Sequence, residues 1–563
     1  MPDKKSEEKK IGVFVCHCGT NIGGLVDCEK LAEYSKTLPN VKYSEHNLYT
    51  CSETGLAAIK KAVQENDLNR VVVASCTPRT HEPLFRECIE EAGLNPYLFN
   101  FVNIRDQCTW VHMKNPKAAF EKSKDLIRMG VSKAEKLEEL EKIIVEVNPI
   151  ALVIGGGVSG INCALSLNNQ GFKTFLVEKE AKLGGRLKEL YQVFPSDRLA
   201  SELLDELLAK VKKAKNLTVY TSSKLKNING FIGNYEIEIE QRNHSVNLNV
   251  GVIVVAVGAT SYKPLNLYNY NGKNIITQLE LEDKLREDQI EANDIVMIQC
   301  VGSRNADREY CSSICCMTAL KNALIIKERE PNTNVSILFR DLYTPGTIYE
   351  EYYRKAREAG ILFIKYTPDK QPVIYKNVVK IYNQYLNDEI SIPFDLIVLA
   401  TPLIANNDNR ELAQLLKVPL EENKFFLEAH VKLRPIDFAT DGIYICGSAK
   451  WPADISESTT QGLAAASRAG TILSHNTIEV EGATAYIPDW NKDLCKGCEV
   501  CIKICPYNAI VKDENNEIQI IQALCKGCGT CASTCTKKAI VIRHFTNEQI
   551  LSEILAFGGG KVA

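Results

Sequence analysis

The chain has 563 residues, a formal net charge of −3 and 45% hydrophobic residues, which is enough for about three to four domains with real cores. With 67 basic against 70 acidic side chains, neither nucleic acid nor an anionic membrane is expected as a partner, and no apolar run is long enough to span a bilayer. The hydrophilic start MPDKKSEEKK lacks the apolar segment of a signal peptide, so the 21 cysteines are read as metal ligands in a cytoplasmic chain rather than as disulfides.

Residues 1–147 are expected to form a small α/β domain, with strands at Ile11 to Val15 and Arg70 to Ala74 and helices at Leu56 to Gln64 and Pro116 to Leu140. Each strand runs into cysteine: Cys16-His17-Cys18-Gly19 follows the first and Ser75-Cys76 the other, while Cys51 and Cys108 sit in loop-like sequence. The C-terminal ends of strands in an α/β sheet share one rim, so these residues are expected to gather there around a 4Fe-4S cluster. Spacing does not decide which four of the five bind. His17, His81 and His112 carry ligand nitrogens but more commonly hydrogen-bond locally, and Cys28, Cys88, Cys163 and Cys446 read as packing residues. The charged stretch 132–142, SKAEKLEELEK, reads as a solvated helix before a boundary near Pro149.

Residues 148–290 open with strand, glycine turn, helix and strand. Gly155-Gly156-Gly157-Val158-Ser159-Gly160 carries G-x-G-x-x-G directly after an apolar strand, and Glu178, followed by Lys179, ends the next strand. That context specifies a dinucleotide site: glycines admit the pyrophosphate, the helix N-terminus stabilises it, and the acidic residue holds the ribose. Gly184-Gly185-Arg186 resembles the second glycine pair of two-dinucleotide flavoprotein disulfide reductases, which points to FAD rather than NAD. The strand ending near Gly258 resembles that family's return from the flavin domain, and Thr440 to Ser448, with Gly447 and Ser448 at its end, resembles its closing flavin motif.

Residues 291–375 are expected to be a second nucleotide-binding domain, fed by the strand DIVMIQ at 294–299. Its glycine fingerprint is missing. Cys300, Cys311, Cys315 and Cys316 stand there instead, which removes the pyrophosphate site for a nicotinamide dinucleotide and suits one four-iron cluster. A redox disulfide is the rival reading, although such pairs use C-x2-C and an adjacent pair would be strained.

Residues 376–480 return to the FAD domain, 481–545 form a ferredoxin domain and 546–563 a tail. The ferredoxin carries C-x2-C-x2-C-x3-C twice, at Cys495, Cys498, Cys501 and Cys505 and at Cys525, Cys528, Cys531 and Cys535. In two-cluster ferredoxins the fourth cysteine of each run serves the other cluster, so the sets are Cys495, Cys498, Cys501 with Cys535, and Cys525, Cys528, Cys531 with Cys505. Structural zinc usually pairs two CxxC knuckles and fits less well. No internal repeat is read beyond these two runs.

In order along the chain, Cys16 to Gly19, Ala74 to Pro83, Gly155 to Gly160, Gln299 to Arg304, Tyr310 to Cys316 and the terminal ferredoxin resemble the FAD- and iron-sulfur-carrying A component of heterodisulfide reductase, over nearly all residues. The fold class implied is α/β: a thioredoxin-reductase-like core of two dinucleotide-binding domains, with the N-terminal cluster domain and the C-terminal ferredoxin. The resemblance implies FAD, several 4Fe-4S clusters, and electron pairs split at FAD between ferredoxin and a disulfide reached through B and C type subunits. It also implies as donor a hydrogenase or formate dehydrogenase with a small iron-sulfur adaptor protein, and a homodimer within a larger complex. Longer members insert a second ferredoxin module in the flavin domain; here Gly230 to Val257 runs straight to Gly258, as a short form without it. By the same resemblance Lys321, on a helix from Met317 to Lys327, approaches the flavin N5; a solvent-facing lysine is the alternative. A conduit that relays electrons without splitting them is the competing function, and an autonomous NAD(P)H oxidoreductase is disfavoured by the lost fingerprint.

Overall fold

The computed structural model describes residues 8–242, 244–480 and 482–559, which leaves the first seven residues of the hydrophilic start, Glu481 at the expected ferredoxin boundary and the last four residues of the expected tail outside it. Two units divide the chain: residues 1–145 with 479–563, and residues 146–478.

In the first unit, strands β1 (Ile11–Cys16), β2 (Val41–Asn47), β3 (Arg70–Ser75) and β4 (Phe99–Asn103) form a parallel sheet in the order β2-β1-β3-β4. Alternate side chains of β1 serve opposite faces: Ile11, Val13 and Val15 pack on one side and Phe14 on the other. Burial on both faces is what makes β1 and β3 read as continuous apolar runs. Helices α1 (Pro78–Glu91) and α2 (Pro116–Glu135) cover the sheet.

The second unit holds two sheets of five parallel strands. The first uses β5 (Ile150–Ile154), helix α3 (Val158–Asn169), β6 (Lys173–Val177), β7 (Leu217–Tyr220) and β8 (Val252–Val255). The second uses β9 (Ile275–Thr277), helix α4 (Gln278–Arg286), β10 (Asp294–Ile298), helix α5 (Cys315–Arg329), β11 (Asn334–Phe339), β12 (Leu362–Lys365) and β13 (Leu396–Leu399). Strand β14 (Ile443–Ile445) and helix α6 (Ile455–Leu473) then complete the first. The orders are β7-β6-β5-β8-β14 and β12-β11-β10-β13-β9.

Each half therefore reads third, second, first, fourth, with one borrowed edge strand. Each also places a three-stranded antiparallel meander between its third and fourth strands, at 223–250 and 373–393. Helices pack on one face of each sheet and the meander on the other: Ala151 and Val153 meet Ile161 and Ala465, whereas Leu152 and Ile154 meet Ile237 and Ile239. In the second half Ile295 and Met297 meet Leu320, and Val296 and Ile298 meet Val379 and Ile381. This repeat of topology escapes a search of residue identities because it preserves strand order and face, not residues. It also moves residues between domains: β9 and β13, expected from the sequence in the FAD halves, belong to the second sheet, with β13 between β9 and β10. An apolar run announces a buried strand but not which sheet buries it.

In the terminal part of the first unit, the two cysteine runs end in helices α7 (Val500–Ile504) and α8 (Thr530–Thr534), and residues expected as a tail form helix α9 (Asn547–Ala556), held by a Thr546–Gln549 capping box. Helix α9 lies along α2. Arg128 donates to the Ala556 carbonyl at 2.6 Å, Gln549 to the Lys136 carbonyl at 2.9 Å, and Lys136 pairs with Glu548 at 3.0 Å. The stretch 132–142 is thus not a solvated helix. The helix ends at Glu135, Leu137 and Leu140 are buried, and two of the lysines, Lys133 and Lys136, pair with Glu553 and Glu548 of α9.

Candidate functional site

The glycine loop after β5 shows why each small residue stands there. Gly155 has φ +111°, and a methyl on Gly160 would lie 1.8 Å from the Gly155 carbonyl, so α3 touches the strand only because residue 160 is bare. A side chain on Gly157 would meet nothing nearer than the Gly185 Cα at 3.9 Å, and the backbone there opens into a cleft of about 580 Å3. Gly155, Gly157, Val158, Ser159, Glu178, Lys179, Gly185, Arg186, Gly258 and Ser448 all line this cleft. It lies at the C-terminal ends of strands from both parallel sheets, where α/β folds bind nucleotides.

Glu178 is buried and accepts from the Gly156 N–H at 2.6 Å and the Glu180 N–H at 2.8 Å, which fixes its carboxylate on the cleft wall. Lys179 pairs with Asp408 at 2.9 Å and is exposed. Gly184 (φ +119°) and Gly185 (φ +51°) bring the second glycine pair against the first loop. Arg186 has its charge disfavoured by burial, opposed by Glu189 and Glu282. Gly447 N–H donates to Gln461 at 2.9 Å, and Ser448 accepts from the Ala453 N–H at 3.3 Å. A side chain on Gly447 would meet Ser159, so the closing motif sits on the opening one. The open Gly157 backbone, the fixed acid and the volume of the cleft fit a flavin dinucleotide.

Lys321 is not solvent-facing. It is 2% exposed, lines the cleft from α5, donates to the Gln192 carbonyl at 2.8 Å and pairs with Glu282, which is 0% exposed. Burial lowers the Lys321 pKa, opposed chiefly by Glu282 and more weakly by Asp197, so Glu282 is the carboxylate that holds the Lys321 amine on the cleft wall. Sequence reasoning missed Glu282. Its signal was the capping box Thr277 to Glu280, which sets the phase of α4 and turns Gln278, Leu281, Glu282 and Leu285 inward.

Beyond β10, Cys300, Cys311, Cys315 and Cys316 surround a second cavity of about 260 Å3, with Gln299, Arg304 and Asp341 on its wall. Cys315 lines both this cavity and the cleft. Burial raises the pKa of Cys300 and Cys315 and pushes Cys316 up to about 12, so these thiols release protons as a cation binds them. Four thiols around one cavity, with the Arg304 guanidinium beside Cys300, are a donor set that could hold a four-iron cluster.

At the rim of the N-terminal sheet the structure gathers Cys16, Cys18, Cys51 and Cys76. Cys16 Sγ accepts from the N–H groups of Cys18 (3.3 Å) and Thr50 (3.4 Å), and Cys18 and Cys51 are near enough to Cys76 for their pKa values to be raised by it. Arg105 donates to Cys18 Sγ at 3.6 Å and stacks over Trp110. Cys108 is not among them. It lies in a π-helical turn, Arg105–Thr109, and its thiol donates to the Ala119 carbonyl at 3.1 Å inside the core. The five cysteines therefore divide: Cys108 is turned into the core, while N–H and O–H donors reach the sulfurs of Cys16, Cys18 and Cys76. His17 is hydrogen-bonded to His46 at 2.9 Å.

In the ferredoxin part, Cys505 from the first run lines one cavity with Cys525, Cys528 and Cys531 from the second. Cys501 lies against Cys495 and Cys498. Cys535 holds in its run the place of Cys505, each sulfur accepting a backbone N–H four residues on at 3.4 Å. Among the described residues no helix is long and apolar enough to cross a membrane.

Residues 151–303 match the pyridine nucleotide-disulphide oxidoreductase family and residues 487–510 a 4Fe-4S binding domain. An iron-sulfur A component of the CoB–CoM heterodisulfide reductase of Methanopyrus kandleri is 36% identical, covering 90% of this chain and 91% of that protein. The A component of the H(2):CoB-CoM heterodisulfide,ferredoxin reductase of Methanothermobacter thermautotrophicus is 37% identical, covering 98% of each; the match runs over 653 residues against 563 here, so that relative carries residues without a counterpart in this chain. A thioredoxin reductase structure from T. acidophilum covers 57% of this chain and 99% of its own at 16% identity, with a TM-score of 0.40. With a flavin-binding redox domain and a 4Fe-4S binding motif on an α/β frame, the chain is one subunit of an oxidoreductase and belongs to the family of heterodisulfide reductase A components.

Proposed function

We propose that this chain receives electron pairs at FAD and passes single electrons through 4Fe-4S clusters to ferredoxin and to disulfide-reducing B and C type subunits. The observation that carries this reading is Cys315, which stands on the wall of both the flavin cleft and the central cysteine cavity. A bound flavin takes two electrons together and releases them singly. The chain's residues do the rest. The loop from Gly155 to Gly160 binds the pyrophosphate, Glu178 orients the ribose, and Lys321 presents an ammonium to the ring, fixed by Glu282. Four clusters are assigned: one on Cys16, Cys18, Cys51 and Cys76, one on Cys300, Cys311, Cys315 and Cys316, and two in the ferredoxin.

The relatives' names support the partner set. One names H(2) and two acceptors, a heterodisulfide and ferredoxin, and another, from Methanococcus maripaludis, names formate beside H(2). By that analogy the donor is a hydrogenase or formate dehydrogenase with its adaptor protein, and the chain works as a homodimer in a larger complex. Anaerobic purification with counts of iron, acid-labile sulfide and flavin tests the cofactor set: about sixteen irons per FAD is expected for four clusters, and about eight confines them to the ferredoxin.

A relay without electron splitting is favoured by one observation, the residues of longer relatives that this chain lacks. A potentiometric titration of the flavin separates the two readings. One concerted two-electron step supports splitting, and two well-separated one-electron steps support the relay.

A further inference from the structure

Gln299 follows β10 and is 0% exposed, and neither its carboxamide nitrogen nor its oxygen has a hydrogen-bond partner. Its backbone is fixed at both ends: the N–H donates to the Leu338 carbonyl at 2.9 Å, and the Gln299 carbonyl accepts from the Tyr366 hydroxyl at 2.7 Å. Gln299 belongs to the wall of the cavity of Cys300, Cys311, Cys315 and Cys316. An unpaired buried amide is costly, so its partner is to be sought in that cavity. The cluster assigned there presents sulfurs, which accept hydrogen bonds and donate none, so the amide nitrogen is the end that engages.

We propose that Gln299 is a positioning residue for the central cluster, its Nε2–H donating to a cluster sulfur and raising the cluster's reduction potential; this rests on reading the four cysteines as a cluster site. Hydrogen bonds to sulfur are among the levers that set such potentials, because they stabilise the more negative, reduced state. Arg304, held by Asp341 at 2.8 Å, lines the same cavity and turns a second, cationic donor toward it that acts in the same sense. Reduction adds one electron to the cluster, breaks no bond and leaves the proton on the amide nitrogen. Together the two donors make the centre beside Cys315 a ready acceptor for an electron arriving from the cleft.

The test uses the full chain, purified anaerobically, with iron and flavin counts and an EPR-monitored redox titration. Cys311→Ser identifies the centre: loss of about four irons and of one EPR signal is expected, and full iron retention overturns the cluster reading and this proposal with it. Gln299→Met keeps volume and removes the donor. With iron and FAD retained, the signal lost in Cys311→Ser should titrate at a more negative potential; an unchanged potential overturns the role of Gln299 while leaving the cluster in place. Should Gln299→Met lose the cluster, Gln299→Glu carries the test, with a negative shift expected and an unchanged or positive one overturning the proposal.

Discussion

The two halves of the core share one strand order and one meander position, yet they present opposite chemistry at the end of the first strand. After β5 the turn is Gly155 to Gly160; after β10 it is Gln299 to Arg304. The sharp backbone is kept in both, with Gly155 at φ +111° and Cys300 and Gly302 at φ +59° and +87°. What changes is which part of the chain faces the cavity. In the first half bare backbone faces it, as an anionic phosphate requires; in the second, thiols face it, as iron requires. On the function proposed above, a nucleotide frame serves as a cluster frame when glycines give way to cysteines at the same structural place.

The largest effect expected falls where the halves meet. Lys321→Ala leaves Glu282 buried without its cation and should destabilise the chain by about 3–5 kcal/mol in urea unfolding followed by flavin fluorescence. Lys321→Met with Glu282→Leu should restore most of that stability while leaving the flavin potential shifted; a wild-type potential in the double variant would remove Lys321 from the flavin's control. Next comes Gly160→Ala, whose methyl meets the Gly155 carbonyl. Overpacking of this kind costs about 1–3 kcal/mol, and the flavin-to-protein ratio after gel filtration should fall while the iron count holds.

Gly302→Ala is the mirror experiment. Its left-handed backbone costs an L-residue about 1–2 kcal/mol, and its methyl would lie 2.5 Å from the Tyr262 ring. Iron should fall by one cluster with FAD retained, and a variant that loses FAD but keeps iron would break the comparison. Smallest is Lys179→Ala. The exposed pair with Asp408 is worth at most about 1 kcal/mol, so FAD content should match wild type in the same assay.

What was legible in the sequence was whatever spacing alone encodes. Gly155 to Gly160 and the two ferredoxin runs are local patterns, and the structure brings Gly155, Gly157 and Glu178 to one cleft and Cys505 to the run of Cys525, Cys528 and Cys531. Illegible was whatever depends on partners distant in sequence. Nothing near Cys108 says that Ala119 and Ser123 claim its thiol, nothing near Lys321 names Glu282, and the apolar run at 396–399 does not say that it lies between β9 and β10. The topological repeat was hidden for the same reason.

Helix α9 lies along α2, so residues made late in synthesis cover residues among the first 140. Domains ordinarily fold as they emerge, N-terminal first. Here the α2 flank that carries Arg128, Ser132 and Lys136 stays uncovered until α9 has left the ribosome. A truncated product that stops before residue 547 should therefore display that flank to quality-control proteases, and a bulky domain inserted directly after Ala556 should be tolerated poorly compared with one joined ahead of β1.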